Sequence, residues 1–357
     1  MRPSARPDGW TGVVATDAAS VTRVEVGSLS RRLAVRRVFG DERFRRALRW
    51  LAPAVYALAL GAFLWRDGIP ASRERLLLWI VLGLLVLSPA NVGGWARSVV
   101  VDWLPFALIL AGYDLLRGRA DGLLFGAHFS PQLDADRFLF FGDVPTVWLQ
   151  DHLWHGASDL RWWDYTAWAV YMSYFLATYL LAGALWLFAR DRFRAYVANV
   201  SLLAAMGFAT YALFPAAPPW LASSHGELEE TVRAIGPISS RLPYVSFQGL
   251  FDRGSEYANP VAAVPSLHAA YTLLIALVLW RTAPRWAKPA LVAYPLAMTF
   301  ALVYTAEHYV ADILVGWLYA IAAFTVVGAL GFRAWSPKRR SSRPTPVSSQ
   351  TETAGSS

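Results

Sequence analysis

A chain of 357 residues with 56% hydrophobic content, 17 Trp and a positive mean hydropathy is too apolar for a soluble globule, and several runs are long enough to cross a bilayer. The absence of cysteine excludes disulfides, thiolate nucleophiles and sulfur-based zinc or iron–sulfur sites. A net charge of +8 would suit nucleic acid, but the arginines gather in tails and short links beside apolar segments, where they set topology and meet anionic head groups. No nucleic-acid partner is expected.

Residues 1–46 mix Pro, Gly, Ser and Arg and read as a flexible basic tail without the pattern of a cleavable signal peptide. Arg31-Arg32, Arg36-Arg37, Arg43, Arg45 and Arg46 precede the first apolar segment, which places this tail in the cytoplasm. Apolar segments follow near 47–66, 75–93, 97–116, 166–189, 195–214, 262–281, 289–305 and 308–331. The expected fold is therefore an all-α polytopic membrane protein of about eight transmembrane helices. Its membrane domain spans 47–331, with a catalytic core over about 97–331, and a second basic tail covers 332–357. An even helix count puts both tails in the cytoplasm, together with the basic links Arg190–Arg194 and Arg281–Lys288. The link from Arg66 to Arg75 then lies outside despite its arginines, so the first two helices fit the charge rule least well.

The two remaining long links, 117–165 and 215–260, fall on the outer face. In the first, Phe138, Phe140, Phe141, Trp148, Trp154, Trp162 and Trp163 are interspersed with charges, as in short helices lying in the interface. The second opens on the stiff run Pro215-Ala216-Ala217-Pro218-Pro219-Trp220. There is no internal repeat and no glycine-rich nucleotide loop, and no cofactor is expected.

Chemistry concentrates at the outer starts of two late segments. His308 and Asp312 are four apart and share a helix face, so the carboxylate can fix the imidazole tautomer and leave the other nitrogen as a nucleophile. Val264-Pro265-Ser266-Leu267-His268 joins a hydroxyl and a second imidazole to a helix N-terminus, a ready anion site. The plainer alternative is a structural hydrogen-bonded pair between helices. The shared face of His268, Ser266, His308 and Asp312 favours catalysis. His152 and His155, with His128 upstream, suit interfacial residues better than a metal site, and no metal is expected. His225 reads as solvated, and Asp114 and Arg117 either pair with each other or hold a head group.

The stretches Ala263–Tyr271 and His308–Gly316 resemble the second and third signatures of the type 2 phosphatidic acid phosphatase superfamily, and Tyr211–Trp220 resembles the proline-rich signature of its inositol phosphorylceramide synthase branch. The Pro-Ser-Leu-His form is similar to that branch and to sphingomyelin synthases, where the phosphatases carry Pro-Ser-Gly-His. The resemblance implies a six-helix core and a membrane lipid substrate. His308 would act as nucleophile, Asp312 as its orienting partner, His268 as acid and base, and Ser266 as a phosphate contact. It further implies Tyr211, Pro218 and Trp220 near the substrate; Asp114 and Arg117 stand as substrate candidates on their position alone. The Lys-x6-Arg-Pro signature of the hydrolytic branch is absent, which leaves Arg241, Arg253, Arg161 or Arg117 to meet phosphate. The expected activity is transfer of a phosphoryl-linked head group to a lipid or alcohol acceptor. A lipid phosphate or polyprenyl diphosphate phosphatase is the alternative, and a non-catalytic transporter or scaffold is a third.

Overall fold

The computed structural model describes residues 42–67, 73–87, 92–117, 126–242 and 259–331. Among them the chain is helical without strands. The long helices are α1 (Glu42–Asp67), α2 (Arg73–Val86), α3 (Val92–Arg117), α6 (Trp162–Phe188), α7 (Arg190–Leu213), α10 (Leu267–Trp280), α11 (Lys288–Tyr304) and α12 (Val310–Ala329). Between them lie the short helices α4 (Ser130–Leu139), α5 (Pro145–Leu153), α8 (Pro219–Ser224) and α9 (Ile235–Arg241). The eight long helices coincide with the eight apolar segments. Within the described residues, four are long and apolar enough to cross a membrane: α6, α7, the run Arg285–Tyr304 that contains α11, and α12. The chain is a multi-pass membrane protein.

The described residues fall into two compact units, one within the ranges Met1–Arg66 and Val81–Val100 and the other within Asp67–Ile80 and Val101–Ser357. In the first, the Tyr56 ring of α1 lies over Gly83 of α2, where an added Cβ would meet the phenol oxygen at 2.9 Å. The second unit carries everything that follows.

Helix starts in this unit are set by local chemistry. Proline occupies the first turn of α4, α5, α8 and α11, where its missing N–H has no intrahelical partner to lose. Asp164 and Asp312 sit in the first turns of α6 and α12 and accept from the backbone N–H of Arg161 and Tyr309, at 2.6 and 2.9 Å. The expected link 190–194 is not a loop: α7 begins at Arg190, directly after Ala189 ends α6. Hydropathy stops at those charges, whereas the backbone helix does not, because arginine and aspartate in a first turn are compatible with helix.

α10 is the central helix. It packs against α12 and α11 and also touches α6 and α7. Its N-terminal end is wedged between two glycines. Leu267 packs on Gly207 of α7, and the Ser266 carbonyl lies where a Cβ on Gly316 of α12 would be, at 2.3 Å. Polar ties stitch the same helices: Thr210 to Tyr319 at 2.8 Å, Ser173 to Tyr294 at 2.8 Å, and the Tyr211 hydroxyl to the Pro265 carbonyl at 2.7 Å.

The connecting segments converge at one end of this bundle. Backbone bridges align His128 with Ala216 and Ala216 with Ala262, so the two long links and the start of α10 are joined there. Gln132 donates to the His128 and Ala217 carbonyls, and Gln150 donates to the Val232 and Tyr304 carbonyls while accepting from Val232 N–H. Both glutamines are buried, and each satisfies backbone groups that would otherwise be costly to bury.

Candidate active site

The bundle end just described brings the two histidine stretches together. The Ser266 N–H donates to the Asp312 carbonyl at 3.0 Å, which ties the start of α10 to the first turn of α12. The His268 and His308 rings lie 5.6 Å apart between centroids. His308 is buried, and its Nδ1 stands 3.4 Å from Asp312 Oδ2, an ion-pair distance without the alignment of a hydrogen bond. That oxygen also accepts from Tyr309 N–H, so the carboxylate is fixed by its own helix and presented to the imidazole. Such contacts often lie long until substrate is bound.

His268 is the second residue of α10, within the positive field of the helix N-terminus. It is held in an aromatic box with Tyr171 stacked at 5.0 Å, Tyr174 tilted at 4.2 Å and Phe175 edge-on at 6.1 Å. Ser266 caps α10: its hydroxyl accepts from Ala269 N–H at 3.4 Å, and the residue is fully buried.

The backbone leading to His308 turns at Ala306, a buried residue with φ of 62°, a conformation that costs a non-glycine residue about 1 kcal/mol or more. Around this turn Glu307 N–H and His308 N–H both donate to the Leu302 carbonyl, at 2.9 and 3.3 Å, and Trp220 N–H donates to the Ala306 carbonyl. Trp220 therefore borders the site. Tyr211 and Pro218 are buried behind it, the first engaged with Pro265 and the second forming the start of α8. The side chains of Asp114 and Arg117, and the whole of Arg253, lie outside the described residues.

Two charged residues here were not singled out from the sequence. Arg233 forks onto Glu307, with Nε donating to Oε1 at 2.7 Å and Nη2 to Oε2 at 3.1 Å, and its guanidinium lies 4.8 Å from the Trp220 ring centroid. Asp136 of α4 is fully buried and accepts from Val310 N–H at 3.0 Å and Ala311 N–H at 2.8 Å, the first two donors of α12. Burial pushes its carboxyl up to about 6, against the lowering effect of those two N–H groups, and the Asp312 charge adds to the rise.

Of the other expected candidates, Arg161 is exposed and paired with Asp159, and Arg241 is exposed at the end of α9. His152 and His155 donate from Nδ1 to the Trp148 and Leu153 carbonyls, and His128 stacks on Phe214 at 4.4 Å. His225 lies against Phe129. Among the described residues, no three His, Cys, Asp or Glu side chains converge as a metal ion would require.

Residues 137–326, more than half of the chain, match the model of the PAP2 superfamily. A stretch of 117 residues is 33% identical to the phosphoinositol dihydroceramide synthase of Bacteroides thetaiotaomicron, covering 31% of this chain and 37% of that protein. The chain thus spans well under half of that relative's length. No solved structure matches. A family match over both histidine stretches, which the fold brings 5.6 Å apart, agrees with the resemblance that those stretches carry, and the chain belongs to the PAP2 superfamily.

Proposed function

We propose that this protein is a membrane enzyme acting on lipid phosphates, and that it transfers a phosphoryl-linked head group from a lipid to an alcohol acceptor through His308. One observation carries the reading: two imidazoles lie 5.6 Å apart between centroids, and His308 has the Asp312 carboxylate 3.4 Å from its Nδ1. That carboxylate assigns His308 the attacking role. Asp312 holds Nδ1 and stabilises the positive charge that develops when Nε2 attacks phosphorus. As the P–O bond to the leaving alcohol breaks, His268 gives that oxygen its proton. In the second half His268, now neutral, takes the proton of the acceptor hydroxyl as its oxygen attacks phosphorus and the P–N bond breaks.

Phosphate charge is met by the α10 N-terminus and by Arg233, which is forked onto Glu307, the residue before His308. Burial of Ser266 and its capping bond give its hydroxyl a supporting role beside that terminus. Transfer is favoured over hydrolysis by the Pro-Ser-Leu-His form of the second signature and by the relative named as a phosphoinositol dihydroceramide synthase.

The test is incubation of purified full-length protein with lipids bearing phosphoinositol and other phosphoryl-linked head groups, labelled at phosphorus, with and without dihydroceramide and other lipid alcohols. Acceptor-dependent appearance of a new labelled lipid is the expected result. Release of water-soluble phosphate whichever alcohol is offered overturns transfer in favour of a phosphatase. Unchanged lipid in every mixture, with His308→Ala indistinguishable from the native protein in cells, favours a transporter or scaffold.

A further inference from the structure

The catalytic helix is not held by its own residues alone. α12 opens with N–H groups that lack intrahelical acceptors, and its first turn receives two separate carboxylates. Asp312 takes the Tyr309 N–H from within the helix, while Asp136, 174 positions earlier in the chain, takes the Val310 and Ala311 N–H groups. His308 immediately precedes this turn. Its backbone is held on one side by the Leu302 carbonyl and on the other by the turn that Asp136 grips. An anion already fills the α12 terminus, so a substrate phosphate finds its helix N-terminus at α10 instead.

We propose that Asp136 is a positioning residue for the reaction: its ionised carboxylate, reaching across from α4, fixes the first turn of α12 and thereby the distance and angle between His308 and Asp312. The inference rests on the assignment of His308 as nucleophile. A carboxylate can accept both N–H groups at once. Its protonated form keeps one carbonyl acceptor and turns a donor toward the other N–H, so the grip is lost by half on protonation. The groups facing Asp136 are Asp312 and Tyr309 of α12, with Arg137 beside it on α4, whereas Leu133, Val144, Ala222 and Leu228 around Tyr309 are apolar. Nothing cationic from α12 or α8 is thus shown to hold the carboxylate ionised, and its charge state follows pH near 6. Stability and activity then respond with opposite signs. The raised carboxyl binds its proton more tightly folded than unfolded, so acidification from about 6 toward 4 stabilises the fold through this group while it weakens the site.

The experiment compares native protein, Asp136→Asn, Asp136→Glu and His308→Ala, each full length, on phosphorus-labelled phosphoinositol lipid with dihydroceramide. Asp136→Asn is expected to lower kcat on the order of 10–100-fold, the effect of sub-ångström to ångström misplacement, with KM within about twofold. The native rate should fall more steeply toward acid through pH 6 than that of Asp136→Asn, and Asp136→Glu should restore both the rate and the steepness. A variant whose pH profile is the native one scaled down, or whose kcat is native, overturns the positioning role. If His308→Ala turns over normally, the nucleophile assignment fails first, whatever Asp136→Asn does. Should Asp136→Asn not fold, hydrogen exchange of the Val310 and Ala311 amides in native protein decides. Protection that drops as pH falls through 6 supports the proposal, and protection that follows only the ordinary base-catalysed trend overturns it.

Discussion

At the scale of single residues, the site depends on which ionisable groups have partners in place. On the proposed roles, His308→Ala removes the nucleophile and Asp312→Asn only its orienting partner. Both are expected to lose activity, by 10²-fold or more for His308 and by less for Asp312, in an assay of labelled product formation. Arg233 poses a different question because Glu307 is 8% exposed and would be left buried without its counterion. Arg233→Ala should therefore cost on the order of 3–5 kcal/mol of stability. The Arg233→Ala/Glu307→Gln double variant should recover most of that stability without recovering activity. If the double variant regains turnover as well, Arg233 serves only to neutralise Glu307 and not to hold phosphate. His308, Asp312 and His268 were legible in the sequence because their partnership is local, an i,i+4 pair and a signature at a helix start. Arg233 and Asp136 were not, since their partners lie 74 and 174 positions away, and a charge in a polar link looks the same whether it is solvated or buried.

At the scale of elements, the feature that matters is how closely α10 and α12 approach. The Ser266 carbonyl occupies the space of a Gly316 side chain, and backbone cannot rotate out of the way as a side chain can. Gly207 faces only the Leu267 side chain, with added-Cβ distances of 3.0–3.2 Å. Gly316→Ala is accordingly expected to destabilise by about 3 kcal/mol or more and Gly207→Ala by about 1 kcal/mol, read as the temperature of half-inactivation in detergent. Combining Gly207→Ala with Leu267→Val should restore part of the loss, whereas no change at 267 should rescue Gly316→Ala. Equal losses at the two glycines would mean that α10 shifts as a unit. The same contact gives the Leu of Pro-Ser-Leu-His a physical role, as it fills the seat left by Gly207. Hydropathy located all eight long helices, because each is a continuous apolar run. It could not find this packing, since a glycine that admits a neighbouring backbone and one that merely sits in a helix are identical letters. The aromatic pattern of 117–165 did suggest short helices there, without the bounds of α4 and α5, and α8 and α9 were not foreseen; the Gln132 and Gln150 clasps tie α4 and α5 to the neighbouring backbone.

At the scale of the whole second unit, the fold sorts charge between the two ends of its bundle. The start of α6, the end of α7 and the starts of α10 and α12 share the end that holds the histidines, as the His128, Ala216 and Ala262 bridges and the Ser266 to Asp312 bond require. The other end then carries the α6–α7 junction with Arg190, Arg192 and Arg194, and the α10–α11 link with Arg281, Arg285 and Lys288. At the histidine end the described arginines are Arg137, Arg161, Arg233 and Arg241, the second and third paired with Asp159 and Glu307, and they are outweighed by Asp134, Asp143, Asp151, Glu227, Glu229 and Glu230 together with the buried Asp136 and Asp312. An arginine-rich end and an acidic end are what insertion with the basic end in the cytoplasm produces, so we expect the histidines to face the extracytoplasmic side. The native chain contains no cysteine, which makes single-cysteine labelling free of background. Glu229 and Arg285 are both exposed, on the histidine end and the basic end respectively. Glu229→Cys should react with a membrane-impermeant maleimide in intact cells, and Arg285→Cys only after the membrane is opened. The opposite pattern would place the site in the cytoplasm, where a head-group transferase would draw on the inner leaflet and the charge argument would have to be abandoned.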